Sequence, residues 1–167
     1  MFEINKRVYL KITDYFKDNK KAGFCLGLVY KLLPFVVFAA YPIMLVYTLI
    51  WQQDLFLQTL LVPAGVFILV TILRKLIGEQ RPYEKYGVPS VFGKTTKGQS
   101  MPSRHTASAV IIALALLKMN YYIGITALCI ALLIALSRIL AGVHFIRDIS
   151  VGAGISILFG VVFIFLI

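Results

Sequence analysis

The chain has 167 residues, of which 60% are hydrophobic and 14% charged. Soluble domains are about 45–50% apolar with about a quarter charged residues, so this composition excludes an ordinary soluble domain and predicts a membrane protein. The formal net charge of +10 favours anionic partners such as lipid head groups or phosphate. We expect no nucleic-acid partner, because the basic residues lie beside apolar segments rather than on a soluble module.

The first 22 residues predict an amphipathic helix in the membrane interface. Ile4, Val8, Ile12 and Phe16 recur at intervals of four, Tyr9 and Tyr15 add to the apolar arc, and Lys and Asp fill most of the remaining positions. This pattern is typical of a helix that lies along the bilayer surface. The charged start contains no apolar h-region, which argues against a cleaved signal peptide.

Five apolar runs follow, and they predict an all-α, multi-pass helical bundle with about five transmembrane helices. The runs cover residues 24–50, 55–73, 106–117, 121–140 and 149–167. The third run is short and reaches spanning length only by including the turn that carries His105. Gly152, Gly154 and Gly160 in the fifth run are small residues that favour close helix packing. We expect residues 1–167 to form one domain.

A polar segment between the second and third runs, residues 78–103, predicts an extramembrane loop. If the runs cross the membrane in turn, three junctions lie on the same face. These are the end of the second run, the start of the third, and the junction of the fourth and fifth. The polar clusters at these junctions, RKLIGEQRP, PSRH and SRILAGVHFIRD, are therefore expected to meet and form a site.

The strongest chemical signal is the pair formed by His144 and Asp148. Four residues apart at the head of a helix, they share a face, and the carboxylate can accept a proton from one imidazole nitrogen. The other nitrogen is then free to act as a general base or as a nucleophile, and phosphorus is the natural electrophile for it. His105, at the mouth of the third helix, is a candidate general acid.

Basic side chains around these histidines predict a phosphate site, because guanidinium groups bind phosphoryl oxygens bidentately. The candidate phosphate ligands are Arg74, Lys75, Arg81, Arg104 and Arg138, with donors from Ser103 and the backbone amides at the start of the third helix. Lys85, Lys94 and Lys97 are interpreted instead as solvated loop charges.

No metal or cofactor is expected. Glu79 and Glu84 flank the first cluster without a recognisable metal-ligand spacing. Cys25 and Cys129 lie in apolar runs without a second ligand at zinc spacing, so they are predicted to be packing residues.

In these clusters the sequence resembles the type 2 phosphatidic acid phosphatases. That family's pattern is a basic residue, six others and Arg-Pro; then Pro-Ser-Gly-His; then Ser-Arg, five others, His, three others and Asp. The corresponding residues here are Arg74 with Arg81-Pro82, PSRH at 102–105, and Ser137-Arg138 with His144 and Asp148. Two positions differ: Arg74, followed by Lys75, stands where the family usually has Lys, and Arg104 replaces its Gly.

The resemblance implies a metal-independent lipid phosphatase in which His144 forms a phosphohistidine, Asp148 orients it and His105 donates a proton. The basic residues are then phosphate ligands. Candidate substrates are undecaprenyl diphosphate, phosphatidylglycerophosphate and phosphatidate. Alternatives are a phosphoryl transferase using the same site, a vanadate-binding haloperoxidase of the same fold family, and a non-catalytic lipid-binding or transport protein. The apolar runs count against the haloperoxidases, which are soluble.

Two indications of sidedness disagree. Six Lys and Arg residues lie between positions 1 and 23, on the same face as the predicted site, and the positive-inside rule places such a face in the cytoplasm. The resembled family usually has its site outside. We expect a protein integral to the cell membrane with its site on the extracytoplasmic face.

Overall fold

The computed structural model describes residues 5–166, which form helices without a β-strand. The helices are α1 (Lys6–Asp18), α2 (Lys20–Trp51), α3 (Gln53–Ile77), α4 (Pro82–Tyr86), α5 (Arg104–Met119), α6 (Tyr121–Leu140) and α7 (Ile146–Gly160). A π-helical turn, Val161–Leu166, continues α7. Four helices, α2, α3, α6 and α7 with its continuation, are long and apolar enough to cross a bilayer. The predicted all-α, polytopic bundle is confirmed.

The third predicted span, α5, differs from the others because it lies inside the bundle. It has 16 residues, or about 24 Å at 1.5 Å per residue, which is less than the hydrocarbon core of about 30 Å. Nine of its residues are buried, and it packs against α2, α3, α6 and α7. The five predicted spans are therefore four long helices around a short central one.

Small residues and apolar side chains hold this bundle together. Its core, here called the bundle core, includes Val66, Val70, Ile111, Ile134 and Ile164. At Gly160 an added Cβ would lie 2.5 Å from a methyl carbon of Leu114, so glycine permits α7 to approach α5 closely. At Gly154 an added Cβ would meet no atom within 4 Å, so the predicted role of this glycine in helix packing was wrong.

Prolines lie inside two of the long helices without ending them. Pro63 in α3 has no N–H to donate to the carbonyl of Thr59, four residues earlier. The Tyr41 hydroxyl of α2 donates towards the Thr59 and Leu60 carbonyls, at 3.3 and 3.2 Å. A neighbouring helix thus satisfies the backbone group that proline leaves free.

Large apolar side chains cover the outside of the bundle. Phe35, Ile43 and Leu76 are each more than two-thirds exposed, as expected where the surrounding solvent is lipid. Cys25 and Cys129 are also exposed, so the prediction that they are packing residues was wrong. They carry no disulfide.

Helix α1 packs against the protein through Tyr9 and Phe16 of its predicted apolar arc, together with Thr13. Tyr9 and Thr13 are buried, whereas Val8 is 47% exposed; Ile4 lies outside the described residues. Tyr9 joins a second apolar cluster, here called the site-end core, with Leu26, Tyr83, Ala141 and Val143. The Tyr9 hydroxyl also donates to the Val88 carbonyl at 3.0 Å. The helix thus holds the polar loop as well as presenting an apolar face.

Candidate active site

A polar cavity of about 100 Å³ lies where the three sequence clusters come together. Its lining comes from α2, α3, the polar loop, α5 and the α6–α7 junction. The lining residues are Tyr30, Arg74, Arg81, Lys94, Thr96, Arg104, His105, Arg138, Val143 and His144. Six of the predicted site residues line it, and Asp148 contacts it through His144.

His144 and Asp148 form the hydrogen-bonded pair that their spacing predicts. His144 Nδ1 lies 3.3 Å from Asp148 Oδ2, and both side chains are buried. The same carboxylate oxygen accepts from the Phe145 amide at 2.9 Å and from the Ser100 hydroxyl at 2.5 Å. Ser100 Oγ lies 3.4 Å from His144 Nδ1. With Nδ1 facing Asp148, Nε2 of the imidazole is left for chemistry.

His144 lies in the non-helical turn between α6 and α7, and it is 3% exposed. Burial lowers its pKa to about 4, and the cations Arg81 and Arg74 act in the same direction, against the hydrogen bond to Asp148. The imidazole is therefore neutral near pH 7, which leaves a nitrogen lone pair available as base or nucleophile.

The structure distinguishes Arg74 from Lys75. Arg74 is 4% exposed, lines the cavity, and donates from Nη1 to the Pro102 carbonyl at 3.0 Å. Lys75 is exposed and does not line the cavity, because one helical step turns a side chain by about 100°. Of the two predicted ligands, only Arg74 is brought to the site.

Arg81 is held in place by the loop it belongs to. Its Nε donates to the Gly98 carbonyl at 3.2 Å, and Nη1 donates to the Val143 carbonyl at 3.4 Å. Glu84 Oε2 accepts from the amides of Arg81 and Gly98, at 3.0 and 2.7 Å. These bonds fold the loop around a buried guanidinium and fix it beside the turn that carries His144.

Arg138 is oriented by Tyr30, a residue that the sequence patterns did not single out. Its Nη2 donates to the Tyr30 carbonyl at 3.0 Å, and its Cζ lies 4.0 Å from the centre of the tyrosine ring. Such a cation–π contact holds a guanidinium while leaving its other edge free. Tyr30 lies on α2, in a stretch with no motif that could have indicated this contact.

Ser103 does not line the cavity, contrary to its predicted role. It is fully buried, and its amide donates to the Asp148 carbonyl at 2.9 Å. A Cβ at Gly152 would lie 2.8 Å from the Ser103 carbonyl oxygen, so this glycine permits the close approach of α7. Ser103 thus joins the start of α5 to the helix that carries Asp148.

Lys94 lines the cavity, so its interpretation as a solvated loop charge was incomplete. Partial burial and the guanidinium groups of Arg81 and Arg138 lower its pKa. Deeper in the site, the buried Nε atoms of Arg74 and Arg138 have no hydrogen-bond partner within residues 5–166. The cavity is strongly cationic, with one buried carboxylate behind it, and it is suited to an anion.

Two other features limit what the site can hold. Within the described part of the chain no group of three or more His, Cys, Asp or Glu side chains is arranged to hold a metal ion. Larger grooves of about 340 and 370 Å³ lie beside α2, α5 and α6, lined mainly by apolar side chains. The lining of these two grooves contains no histidine, acid or cation, so neither offers a second candidate catalytic site.

Solved structures with the same fold are found at low sequence identity. That of Aquifex aeolicus LpxE has a TM-score of 0.74 and is 24% identical, covering 93% of each chain. At that identity the likeness shows the fold alone. The transmembrane PAP2-type phosphatidylglycerolphosphate phosphatase of Bacillus subtilis has a TM-score of 0.55 at 25% identity, covering 94% of this chain and 73% of that one. Among curated proteins, none matches significantly.

A helical membrane bundle that encloses a cationic cavity beside a histidine–aspartate pair defines a class, the membrane-embedded lipid phosphatases, which hydrolyse phosphate esters. Residues 55–167 match the PAP2 superfamily, and the chain belongs to that family. The match begins within α3, so α1 and α2 lie outside it. Both nevertheless contribute to the site, α2 through Tyr30 and α1 through its packing on the loop.

Proposed function

We propose that the protein removes a phosphate group from a membrane lipid through a phosphohistidine formed on His144, without a metal ion. The substrate is a lipid phosphomonoester or diphosphate, such as undecaprenyl diphosphate, phosphatidylglycerophosphate or phosphatidate. The observation that carries this proposal is the neutral, buried imidazole of His144, paired with Asp148 and open to a cavity lined by five cations. The whole chain, 1–167, acts as one unit in this proposal.

In the first step, Nε2 of His144 attacks phosphorus and the bond between phosphorus and the leaving oxygen breaks. Burial and the cations Arg138 and Arg104 lower the pKa of His105 to about 3, so in this proposal the bound phosphate offsets those cations and His105 takes up a proton as substrate binds. His105 then donates that proton to the leaving oxygen, and the dephosphorylated lipid leaves. Asp148 accepts the hydrogen bond from Nδ1–H, so it fixes the tautomer and stabilises the charge that develops on the ring. The second step reverses the roles: His105 takes a proton from water, the water oxygen attacks phosphorus, and the bond to Nε2 breaks to release phosphate.

Arg74, Arg81 and Arg138 are proposed to hold the transferred phosphoryl group. Each already has one face fixed by a backbone carbonyl, at Pro102, Gly98 and Tyr30 respectively. Cations fixed in this way stabilise charge on the phosphoryl oxygens without reorganising during the reaction. Arg104 lines the same cavity but is partly exposed, so it is proposed as a phosphate ligand outside the set that holds the transferred group. Lys75 and Ser103 do not line the cavity.

The size of the cavity supports a lipid substrate rather than a soluble one. A volume of about 100 Å³ is well below the roughly 300 Å³ or more of sites that enclose a whole small molecule. Only the phosphorylated end of a substrate fits, so the rest remains outside. Because four helices of the described residues are long and apolar enough to cross a bilayer, we propose that this remainder lies in the bilayer.

We place the site on the extracytoplasmic face. Helix α1 packs on the site loop, so the N-terminal basic residues share the face of the cavity, and Lys17 Nζ donates to the Pro89 carbonyl at 2.9 Å. At least part of the N-terminal positive charge therefore binds the loop, and this weakens the positive charge as evidence for a cytoplasmic location.

A cysteine at Lys97, in a variant with Cys25 and Cys129 replaced by Ala, is expected to react with an impermeant maleimide in intact cells. Labelling only after permeabilisation would reverse the assignment.

The proposal is tested by phosphate release from the three candidate lipids in detergent with EDTA, using wild-type protein and His144→Gln. Release that persists in EDTA and is lost in the variant is expected. Release abolished by EDTA, or retained by a folded His144→Gln protein, would refute it. An added acceptor lipid that becomes phosphorylated would indicate a transferase, and absence of release from every lipid would favour a non-catalytic protein.

A further inference from the structure

The cations of the cavity fall into two sets that differ in depth. Arg74, Arg81 and Arg138 are each at most 6% exposed and donate to backbone carbonyls. Lys94 is exposed and Arg104 is partly exposed, yet both line the same cavity. Arg74 and Arg81 of the deep set lie close enough to His144 to act on the charge of its imidazole, and the greater exposure of the outer set places it nearer the opening of the cavity.

Within the described residues, 5–166, the outer set has no acidic partner. No ion pair or side-chain hydrogen bond joins Lys94 Nζ or the Arg104 guanidinium to another group within residues 5–166, whereas Arg147 nearby pairs with Glu79 at 2.5 Å. Two cations beside three buried arginines repel them, and the lowered pKa of Lys94 follows from burial and from those neighbours. Such an arrangement is stabilised when an anion is bound.

The position of Arg104 indicates where that anion lies. In the proposed reaction His105 protonates the leaving oxygen, so the leaving group passes beside the first turn of α5. Arg104 is the preceding residue of the same turn and lines the same cavity. A negative group carried by the leaving fragment would therefore meet Arg104 and Lys94 directly after the scissile oxygen.

We propose that Lys94 and Arg104 form a second phosphate subsite, so that the preferred substrate is a lipid diphosphate. This inference rests on the proposed function and narrows its substrate class. The terminal phosphate lies among the three deep arginines and is transferred to His144. The inner phosphate leaves still attached to the lipid, held by the outer pair. A glycine at position 104, as in the resembled family, would leave Lys94 alone at the mouth.

The test compares two substrates with the same tail, farnesyl diphosphate and farnesyl phosphate. For the wild type, kcat/KM is expected to be at least about 10-fold higher for the diphosphate. Arg104→Met and Lys94→Met each lower kcat/KM for the diphosphate by about 10-fold or more and for the monophosphate by less than about 3-fold. Arg104→Lys restores part of the loss. The matched control is Lys97→Met, an exposed loop lysine outside the cavity lining, which leaves both values unchanged.

The subsite would be refuted if the Arg104 and Lys94 variants lowered kcat/KM equally for both substrates. It would also be refuted if the wild type showed no preference for the diphosphate. Either result would leave the phosphatase proposal intact. The diphosphate subsite would also be refuted if Arg104→Met lowered kcat/KM for phosphatidylglycerophosphate, whose second phosphate lies beyond a glycerol, but not for farnesyl diphosphate. If the wild type releases phosphate from neither farnesyl substrate, the proposed function fails for them. Binding of non-hydrolysable farnesyl methylenediphosphonate against the monophosphonate then decides the subsite: weaker binding by Arg104→Met is expected, and unchanged binding refutes it.

Discussion

The bundle core and the site-end core are both buried, but different interactions hold them. Side chains such as Val66 and Ile134 pack in the bundle core, and lipid outside the helices is as apolar as the interior. In the site-end core, aromatic rings pack beside an irregular loop whose carbonyls need donors. Arg81 and Tyr9 supply some of them.

This difference shows why the catalytic end is the more constrained region. Irregular backbone at the edge of a bilayer is tolerated only where protein or water satisfies it. Arginines that satisfy the loop carbonyls are the same arginines proposed to bind phosphate, so the loop fold and the anion site depend on one set of side chains. Substitutions at the site end are expected to alter activity, whereas similar ones in the bundle core alter stability alone.

The largest effect is expected at Asp148. Asp148→Asn is predicted to lower kcat/KM for phosphate release by about 10³- to 10⁴-fold, because an amide no longer fixes the reactive tautomer of His144. The matched control is Asp14→Asn on the exposed side of α1, which keeps wild-type activity. A well-folded Asp148→Asn protein with more than about a tenth of wild-type activity would contradict the assigned role.

Two fully buried serines, one in each region, give a smaller but sharper contrast. Ser100 donates to the Asp148 carboxylate, and Ser156 donates to the Ala107 carbonyl at 2.8 Å within the bundle. Ser100→Ala is predicted to lower kcat by about 10-fold with KM little changed, since a hydrogen bond to a charged group is lost. Ser156→Ala is predicted to lower the melting temperature without changing kcat. Equal effects on kcat would show that Ser100 has no special role.

Substitution of two glycines, Gly142 at the site end and Gly154 in α7, compares how tightly the backbone is packed in the two regions. Gly142 has φ +72°, and an added Cβ would lie 2.7 Å from a ring carbon of Tyr9. Gly142→Ala is therefore expected to cost about 1–3 kcal/mol of stability and to lower activity several-fold. Gly154→Ala, with nothing within 4 Å, is expected to be neutral or slightly stabilising. Thermal unfolding in detergent measures both, and equal melting temperatures would argue against the packing of α1 on the α6–α7 turn.

The smallest effect is expected from mild acid, which should leave the charge of His144 almost unchanged. Because the pKa of His144 is lowered to about 4, its imidazole stays neutral as the pH falls from about 7 to about 6, and it gains a proton only in stronger acid. The chain has two histidines, so NMR titration of the folded His105→Asn variant reports His144 alone. A midpoint near the ordinary value of about 6.5 would show that burial and the arginines do not suppress its charge.

Much of the fold and the motif residues could be predicted from the sequence. Apolar runs locate membrane helices because the bilayer demands them, and alternate crossings place His105, His144 and Arg74 at the same end. The enclosed position of α5 was less evident, since an apolar run looks similar whether lipid or protein surrounds it.

The remaining site residues come from segments without a regular pattern. Tyr30 contacts Arg138 across the bundle, and Ser100 and Lys94 reach the cavity through loop folding. No periodicity predicts such contacts. Arg74 lines the cavity and Lys75 does not, because the two side chains point in directions about 100° apart on α3. On α1 the apolar arc that contains Tyr9 was identified from the sequence, but the burial of Thr13 was not.

The central claim, covalent catalysis by His144, is tested most directly by trapping the intermediate. Purified protein is mixed with a lipid phosphate that it hydrolyses, quenched in alkali during turnover, digested, and examined by mass spectrometry. Phosphate on the peptide containing His144, absent from His144→Gln, is the predicted result. Turnover without any adduct on His144, or an adduct on another residue that persists in His144→Gln, would contradict the account.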